Sequence, residues 1–180
     1  ASAAEIMIGD LLTRGGMQSM MWTVSLIICA LTFGGVLEST GMLGIVAATL
    51  LKFAKGTGSL VTITIFTSIF INIIAADQYL SIVVPGRMYK DAYAERGLAP
   101  RNLSRTLEDG GTITSPLIPW NTCGAFMSGA LGVPTVEYLP YCVLNIVNPI
   151  VSITLAFLGL FQLKMTDEEK AAYEASKLSV

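Results

Sequence analysis

The chain has 180 residues, of which 53% are apolar and only 13% are charged, against about 25% charged residues in a typical soluble domain. A net charge of −2 argues against a nucleic-acid partner, and the absence of histidine removes His-based general-base catalysis, nucleophilic triads and most transition-metal sites. We therefore expect a membrane protein that is not an enzyme and has no resident cofactor.

The charged residues are segregated, which leaves long uncharged runs between them. Four runs exceed about 20 residues, the length of one membrane-spanning helix. These runs are 15–37, 56–76, 110–136 and 138–163. The pattern predicts an all-α fold: a multi-pass helical bundle in contact with membrane lipid over 1–163, followed by a soluble tail over 164–180.

The first long run ends at Glu38. Ala30, Gly34 and Glu38 lie four residues apart, so they share one helix face. Small residues let helices approach closely in lipid, and the pattern indicates a packing notch at Gly34-Gly35. Glu38 is either the aqueous end of this helix or a group on an ion path. The next run, 39–51, is too short to span the bilayer alone. The segment either continues to Gly56 or forms one limb of a re-entrant hairpin.

Residues 56–84 contain the first predicted break. Polar residues with four-residue spacing form one stripe here: Thr64, Ser68 and Asn72. In an unbroken helix Asn72 and Asp77 would point about 140° apart, whereas an unwound turn at 74–77 would bring both into one site. Membrane-embedded carboxylates usually mark a transport pathway. The alternatives are an Asp77 at an interface or paired with an arginine, and 56–84 either spans or re-enters the membrane.

The segment 85–109 is the longest polar connection and carries five basic residues. Basic residues next to membrane segments favour the cytoplasmic side, so we predict that this loop and the tail are cytoplasmic. The pattern predicts a short amphipathic helix ended by Gly97 and a second helix begun by Pro100. Arg105 precedes Asp109 by four residues, and an ion pair between them is the ordinary explanation for that acid.

Residues 109–137 are interrupted by Pro116 and Pro119, which push Ser115 and Ile118 out of the helical region. Backbone groups freed at membrane depth must be buried in protein or line a watery cavity. Polar side chains surround the break: Thr112, Thr114, Ser115, Asn121 and Thr122. A broken membrane helix with such oxygens is the construction expected of a transporter's ion site, and Asn121 is also placed to cap the second half-helix.

The last run, 138–163, carries a polar face that we expect to point inward. Its members are Tyr141, Asn145, Asn148 and Ser152. Pro149 is predicted to kink this helix. In the tail, Thr166 and Glu169 form the capping box of a charged terminal helix.

A family resemblance adds to these patterns. The strings TSPLIPWNTCGAFMSGALGVPTVEYLPY, GRMYKDAYAERGLAPRNLSRTLEDGGT and RGGMQSMMW are similar to the C-terminal part of the NhaC-type sodium/proton antiporter family. The resemblance extends to about residue 163. It implies a carrier of the prokaryotic cell (inner) membrane that exchanges Na⁺ for H⁺, whose N-terminal half is missing from this chain. It leaves open a homodimer and, as in some members, exchange of small organic acids such as malate and lactate.

The wider ion-transporter superfamily, which this family resembles, is built from inverted repeats with re-entrant hairpins and broken helices. Its sodium sites include Asn-Thr pairs at hairpin tips, and the pair Asn121-Thr122 fits that pattern. We accordingly expect this chain to form one half of an inverted repeat.

These inferences predict one cation site, in which Asp77 binds Na⁺ and H⁺ alternately. Burial disfavours the charged form of a carboxylate and a bound cation favours it, so the two occupants exclude each other. The predicted ligands are Asn72, Ser115, Asn121, Thr122 and Thr112. Asp109 and Glu38 are reserve proton sites. The alternatives are an organic-anion exchanger, in which the half-helix at 121–124 holds a carboxylate, and a non-transporting membrane subunit.

Overall fold

The computed structural model describes residue 9, residues 16–160 and residues 162–178. The helices of this part follow one another with short connections. They are α1 Gly16–Ser39, α2 Met42–Leu51, α3 Thr57–Ala75, α4 Gln78–Glu95, α5 Pro100–Leu107, α6 Thr122–Leu131, α7 Thr135–Tyr138, α8 Val143–Phe157 and α9 Asp167–Leu178. A π-helical turn, Glu108–Thr112, and a 3₁₀ turn, Ser115–Leu117, separate α5 from α6. The predicted all-α membrane fold is confirmed.

Within the described part of the chain, two helical segments, Met20–Ser39 and Thr57–Ala75, are long and apolar enough to cross a membrane. Thr135–Tyr141 and Val143–Phe157 pass the same test together, but they are bent by 57° and form either a broken span or a re-entrant loop. This bend lies at Cys142, whereas Pro149 lies inside α8. The uncharged run 110–136 is not one helix, as its prolines predicted.

Helix α1 packs against the point where α3 ends and α4 begins. A Cβ atom on Gly34 would lie 3.0 Å from the Ala75 carbonyl oxygen and 2.9 Å from Leu80 Cδ1, so a larger residue would force these helices apart. The packing notch predicted at Gly34-Gly35 is therefore confirmed at Gly34 but not at Gly35. Gly35 faces open space, and Glu38 is exposed near the end of α1.

Helix α4 differs from its prediction, because it runs without interruption from Gln78 to Glu95 and contains Pro85. We predicted a short helix within a polar connection that starts at Pro85. Tertiary packing outweighs the proline here, since Tyr89 and Tyr93 are 0% and 1% exposed in the core of the fold. The predicted end at Gly97, with φ of +67°, and the start of α5 at Pro100 are confirmed.

The tail begins against the connection between α4 and α5. The Met165 N–H donates to the Gly97 carbonyl at 2.9 Å, and the Tyr173 hydroxyl donates to Asp91 Oδ1 at 3.1 Å. The predicted capping box is confirmed, because Thr166 N donates to Glu169 Oε2 at 2.9 Å and Glu169 N donates to Thr166 Oγ1 at 3.3 Å. Helix α9 therefore lies beside α4.

Candidate functional site

The first break lies at Ala76 and Asp77, between α3 and α4, within the turn predicted at 74–77. Ala76 adopts a left-handed conformation with φ of 56°, which is unusual for a residue with a Cβ atom. Asp77 is extended, and its Oδ1 accepts a hydrogen bond from Leu80 N at 3.0 Å. The carboxylate therefore caps the N-terminus of α4.

The second break covers residues 113–121. Ile118 is extended, with φ of −101° and ψ of 113°, as the proline after it predicts. Ser115 differs from its prediction, because it begins the 3₁₀ turn in which Pro116 is the second residue. An early helical position suits proline, since an N–H there would have no partner within the turn.

A glycine closes the second break against α6. A Cβ atom on Gly124 would lie 2.0 Å from the Ile118 carbonyl oxygen. No side chain fits at that distance, so the extended segment at Ile118 lies directly on the first turn of α6.

The two breaks meet end to end. Thr122 N, at the start of α6, donates to the Ala76 carbonyl at 3.0 Å. The Trp120 ring nitrogen donates to the Ile73 carbonyl at 2.8 Å. The second break thus satisfies two carbonyl groups at the C-terminus of α3. It also places the positive end of the α6 dipole against the negative end of the α3 dipole.

Asn72 and Asn121 join the breaks through their side chains, and both are 0% exposed. Asn121 Oδ1 accepts from Cys123 N at 3.0 Å, which confirms the predicted cap. Asn121 Nδ2 donates to Asn72 Oδ1 at 3.0 Å. Asn72 Nδ2 in turn donates to the Gly111 carbonyl at 2.6 Å, so the pair also holds the π-helical turn.

Gln78 is a central residue of the site that the sequence analysis missed. Its Nε2 donates to Thr112 Oγ1 at 3.3 Å, while its Oε1 accepts from Ser115 Oγ at 3.2 Å and from Cys123 Sγ at 2.8 Å. One amide thus connects α4 to both sides of the second break. The available signal was its position directly after Asp77, as an uncharged polar side chain within an apolar region.

Asp77 is buried, with 6% of its surface exposed. The ion pairs found within the described residues join Arg105 to Asp109 and Lys170 to Asp167, so Asp77 has no lysine or arginine partner in this part of the chain. The alternative of an arginine-paired Asp77 is therefore not what the described structure contains.

Asp109 belongs to a second polar cluster, on the π-helical turn. Its two carboxylate oxygens accept from Asn148 Nδ2 at 2.7 Å and Ser152 Oγ at 2.6 Å, both on α8. The predicted ion pair with Arg105 is present at 3.8 Å. The polar face of α8 thus points inward at Asn148 and Ser152, as predicted, but Tyr141 is 85% exposed, because the bend at Cys142 turns that end of the segment away.

The predicted ligands fall into two groups. Those that hydrogen bonds connect around the breaks are Asn72, Thr112, Ser115, Asn121 and Thr122, and Asp77 follows Ala76, whose carbonyl accepts from Thr122 N. Thr112 also donates to the Glu108 carboxylate. Asp109 lies on α8's side of the π-helical turn, and Glu38 is exposed near the end of α1.

These features define a class of protein: an all-α membrane protein in which two interrupted helices meet at a buried polar core. The chain belongs to the Na⁺/H⁺ antiporter family, whose family model matches residues 3–160.

Curated relatives carry several transport names. The chain is 39% identical to the arginine/ornithine antiporter ArcD of Halobacterium salinarum over 94% of its own length and 35% of that protein. It is 40% identical to the Na⁺/H⁺ antiporter NhaC of Alkalihalophilus pseudofirmus, with 85% and 33% covered. It is 35% identical to a malate-2H⁺/Na⁺-lactate antiporter of Bacillus subtilis, with 86% and 33% covered. The chain thus spans about a third of these relatives, and no solved structure matches it significantly.

Proposed function

We propose that this chain supplies the cation-binding region of a Na⁺/H⁺ antiporter in a prokaryotic cell membrane. The observation that carries the proposal is Asp77, a carboxylate that is 6% exposed, lies where two breaks meet and has no ion-pair partner within the described residues. An unpaired buried charge is costly, so such a group is neutralised by a proton or by a cation. Those are the two ions that the family name specifies.

The neighbouring oxygen atoms suit Na⁺ as the cation. Asn72 Oδ1 and Asn121 Oδ1 are amide oxygens with two lone pairs each, so each can accept a hydrogen bond and still contact a cation. Hydroxyl oxygens of Thr112, Ser115 and Thr122 lie around the second break, and Gln78 Oε1 joins them. Unwound backbone and half-helix ends are where secondary transporters coordinate coupling ions.

Exchange follows from competition at Asp77. A bound Na⁺ and a bound proton each neutralise the Asp77 carboxylate, so the two ions exclude each other at this site. If the carrier reorients only when the site is occupied, Na⁺ travels one way and H⁺ the other. Asp109 has partners of its own in Asn148 and Ser152, and it is a reserve proton site in this scheme. Glu38, being exposed, is a second reserve.

The proposed carrier has the length of its relatives, about three times this chain. In this carrier the segment 85–109 and the tail face the cytoplasm, because eight of the ten basic residues from Lys52 onward lie in those segments.

A second candidate is exchange of a small organic or amino acid, because two of the relatives are named for such substrates. The predicted carboxylate site at the start of α6 is partly occupied, however. Thr122 N donates to the Ala76 carbonyl and Cys123 N donates to Asn121 Oδ1. These bonds favour Na⁺/H⁺ exchange as the primary function, and flux that requires an added acid would instead favour the second candidate.

The test is sodium flux in proteoliposomes that contain the carrier. Asp77→Asn keeps an oxygen that can cap α4 but removes the charge, so we expect pH-dependent Na⁺ exchange to be lost while the protein remains folded. The control is Asp167→Asn, since Asp167 is exposed on α9 and its ion pair within the described residues is with Lys170. Normal exchange by Asp77→Asn would remove Asp77 from the mechanism. If both variants show flux only when malate, lactate, arginine or ornithine is added, that acid would replace Na⁺/H⁺ as the proposed substrate.

A further inference from the structure

The polar stripe on α3 leads away from the cation site. Thr64, Ser68 and Asn72 lie one turn apart, and all three are 0% exposed. Asn72 is in the site, so the other two extend a line of polar atoms along α3 into a region of packed side chains. A stripe of this kind needs an explanation, since each buried hydroxyl costs free energy unless it has a partner.

Ser68 is the unusual member of the stripe. Its Oγ atom is one of two buried side-chain atoms without a hydrogen-bond partner within the described residues, the other being Gln162 Oε1. Leaving a buried hydroxyl unpaired is unfavourable, and a water or ion at the position is a usual explanation. The Ser68 side chain packs against the π-helical turn, since a Cβ atom on Gly110 would be 3.1 Å from Ser68 Cβ.

The other end of the stripe reaches a groove. Tyr93 on α4 donates from its hydroxyl to Thr64 Oγ1 at 3.1 Å. The Tyr93 ring also forms part of the wall of a groove of about 280 Å³ between α4, α5 and α9. Lys90 and Glu169 are the charged residues that line this groove, and Tyr173 lies beside them. The Tyr93–Thr64 hydrogen bond thus joins the stripe to a residue that lines this groove, and Ser68 and Asn72 continue the stripe at one-turn intervals along α3.

A neighbouring pair on the same helices, Tyr89 and Thr67, bonds to another helix instead of reaching this groove. Tyr89 lies one turn before Tyr93 and is equally buried, and its hydroxyl is 2.7 Å from Thr67 Oγ1. That hydroxyl donates to the Ala47 carbonyl of α2 at 2.9 Å, where the connection ends. Burial raises the pKa of both phenols, so each keeps its proton.

We propose that Ser68, Thr64 and Tyr93, with water bound at Ser68, form the path along which the proton moves between the cation site and the groove under α9. This inference rests on the proposed function. The stripe carries a proton and not Na⁺, because its fully buried hydroxyls leave no space for a hydrated cation.

The transfer is balanced at every step. A hydronium ion in the groove gives a proton to the Tyr93 hydroxyl oxygen and becomes water. Tyr93, Thr64 and the water at Ser68 each accept one proton and release one to the next group, and the last proton reaches the carboxylate of the site. Each hydroxyl ends with the single proton it began with. Thr64 Oγ1 donates to the Leu60 carbonyl at 2.8 Å, so this hydroxyl rotates during the transfer.

The experiment compares two exchange modes of the carrier in proteoliposomes. Na⁺/Na⁺ exchange needs no proton, whereas Na⁺/H⁺ exchange does. We expect Tyr93→Phe and Ser68→Ala to slow Na⁺/H⁺ exchange by about tenfold or more, as losing a positioned proton-transfer group does. Na⁺/Na⁺ exchange and the thermal stabilisation by added Na⁺ remain at the wild-type level in both variants.

The matched controls are Tyr89→Phe and Thr67→Val, which remove equally buried hydroxyls from the pair that ends at Ala47. These controls leave both exchange modes unchanged. The path is wrong if Tyr89→Phe and Tyr93→Phe slow Na⁺/H⁺ exchange equally, if both modes are slowed together, or if neither Tyr93→Phe nor Ser68→Ala has an effect. A wild-type carrier without Na⁺/H⁺ exchange would instead overturn the proposed function, and the path with it.

Discussion

The two breaks that form the site are built in different ways. The second break covers 113–121 and is imposed by local sterics, with Pro116 and Pro119 in the chain and Gly124 beneath it. The first break is two residues long, Ala76 and Asp77, and contains neither proline nor glycine.

The first break is held by polar contacts instead. Asp77 caps α4, and the Ala76 carbonyl accepts from Thr122 of the second break. A steric break persists whatever the site contains, whereas a break held by a carboxylate responds to what that carboxylate binds. One half of the site is therefore a fixed support, and the other half is the part that can change with the ion.

Gly124→Ala should have the largest effect, because its Cβ atom would lie 2.0 Å from the Ile118 carbonyl oxygen. We expect a loss of about 3 kcal/mol, at the upper end of overpacking costs. The measurement is the thermal unfolding midpoint of the purified carrier. The control is Gly35→Ala, which meets open space inside α1 and should raise stability by up to about 1 kcal/mol, because alanine favours the helix over glycine. A wild-type midpoint for Gly124→Ala would show that the second break is not sterically closed.

The contact between the breaks is tested by a double-mutant cycle on Asn72 and Asn121. Each alanine variant leaves a buried amide without its partner, and we expect single losses of about 2 kcal/mol and a coupling energy of about 1 kcal/mol. Asn121→Asp separates the two roles, since it keeps the oxygen that caps Cys123 N but removes the donor to Asn72. Additive single effects would mean that the breaks are energetically independent.

Asp77→Ala should cost about 1 kcal/mol by loss of the α4 cap, whereas Asp77→Asn should leave stability nearly unchanged. The unfolding midpoint without Na⁺ measures the contribution of the cap to stability. The change in that midpoint on adding Na⁺ measures the stabilisation by the ion. We expect both variants to lose the stabilisation by Na⁺, although only one loses the cap. Retained Na⁺ stabilisation in Asp77→Asn would place the cation elsewhere.

Ala76→Gly should have the smallest effect and the opposite sign. The left-handed conformation costs a residue with a Cβ atom about 1–2 kcal/mol, and the greater freedom of unfolded glycine returns about 0.5–1 kcal/mol of that. We expect a net gain of about 0.5 kcal/mol in the unfolding free energy. Ala75→Gly, one residue earlier and still in α3, is the control and should lose about 1 kcal/mol. A destabilised Ala76→Gly would indicate that this turn is not strained.

The features that could be predicted from the sequence are the helical membrane class, the family, the second break, the Asn121 cap and the Thr166–Glu169 capping box. Each of these depends on composition or on residues within a few positions of one another. Apolar length predicts membrane helices, proline removes backbone donors, and a cap needs a side chain two or three residues from its N–H. Such rules act before any tertiary contact exists.

The way these elements meet depends on tertiary contacts between distant residues. The contacts of Asn121 with Asn72 and of Asp109 with Ser152 join residues 49 and 43 positions apart. The bonds of Gln78 to Thr112, Ser115 and Cys123 likewise cross from α4 to the second break. Helix α4 continues through Pro85 because its tyrosines are buried in the core. No local pattern encodes such contacts, since they arise when distant helices pack and satisfy one another's buried polar groups.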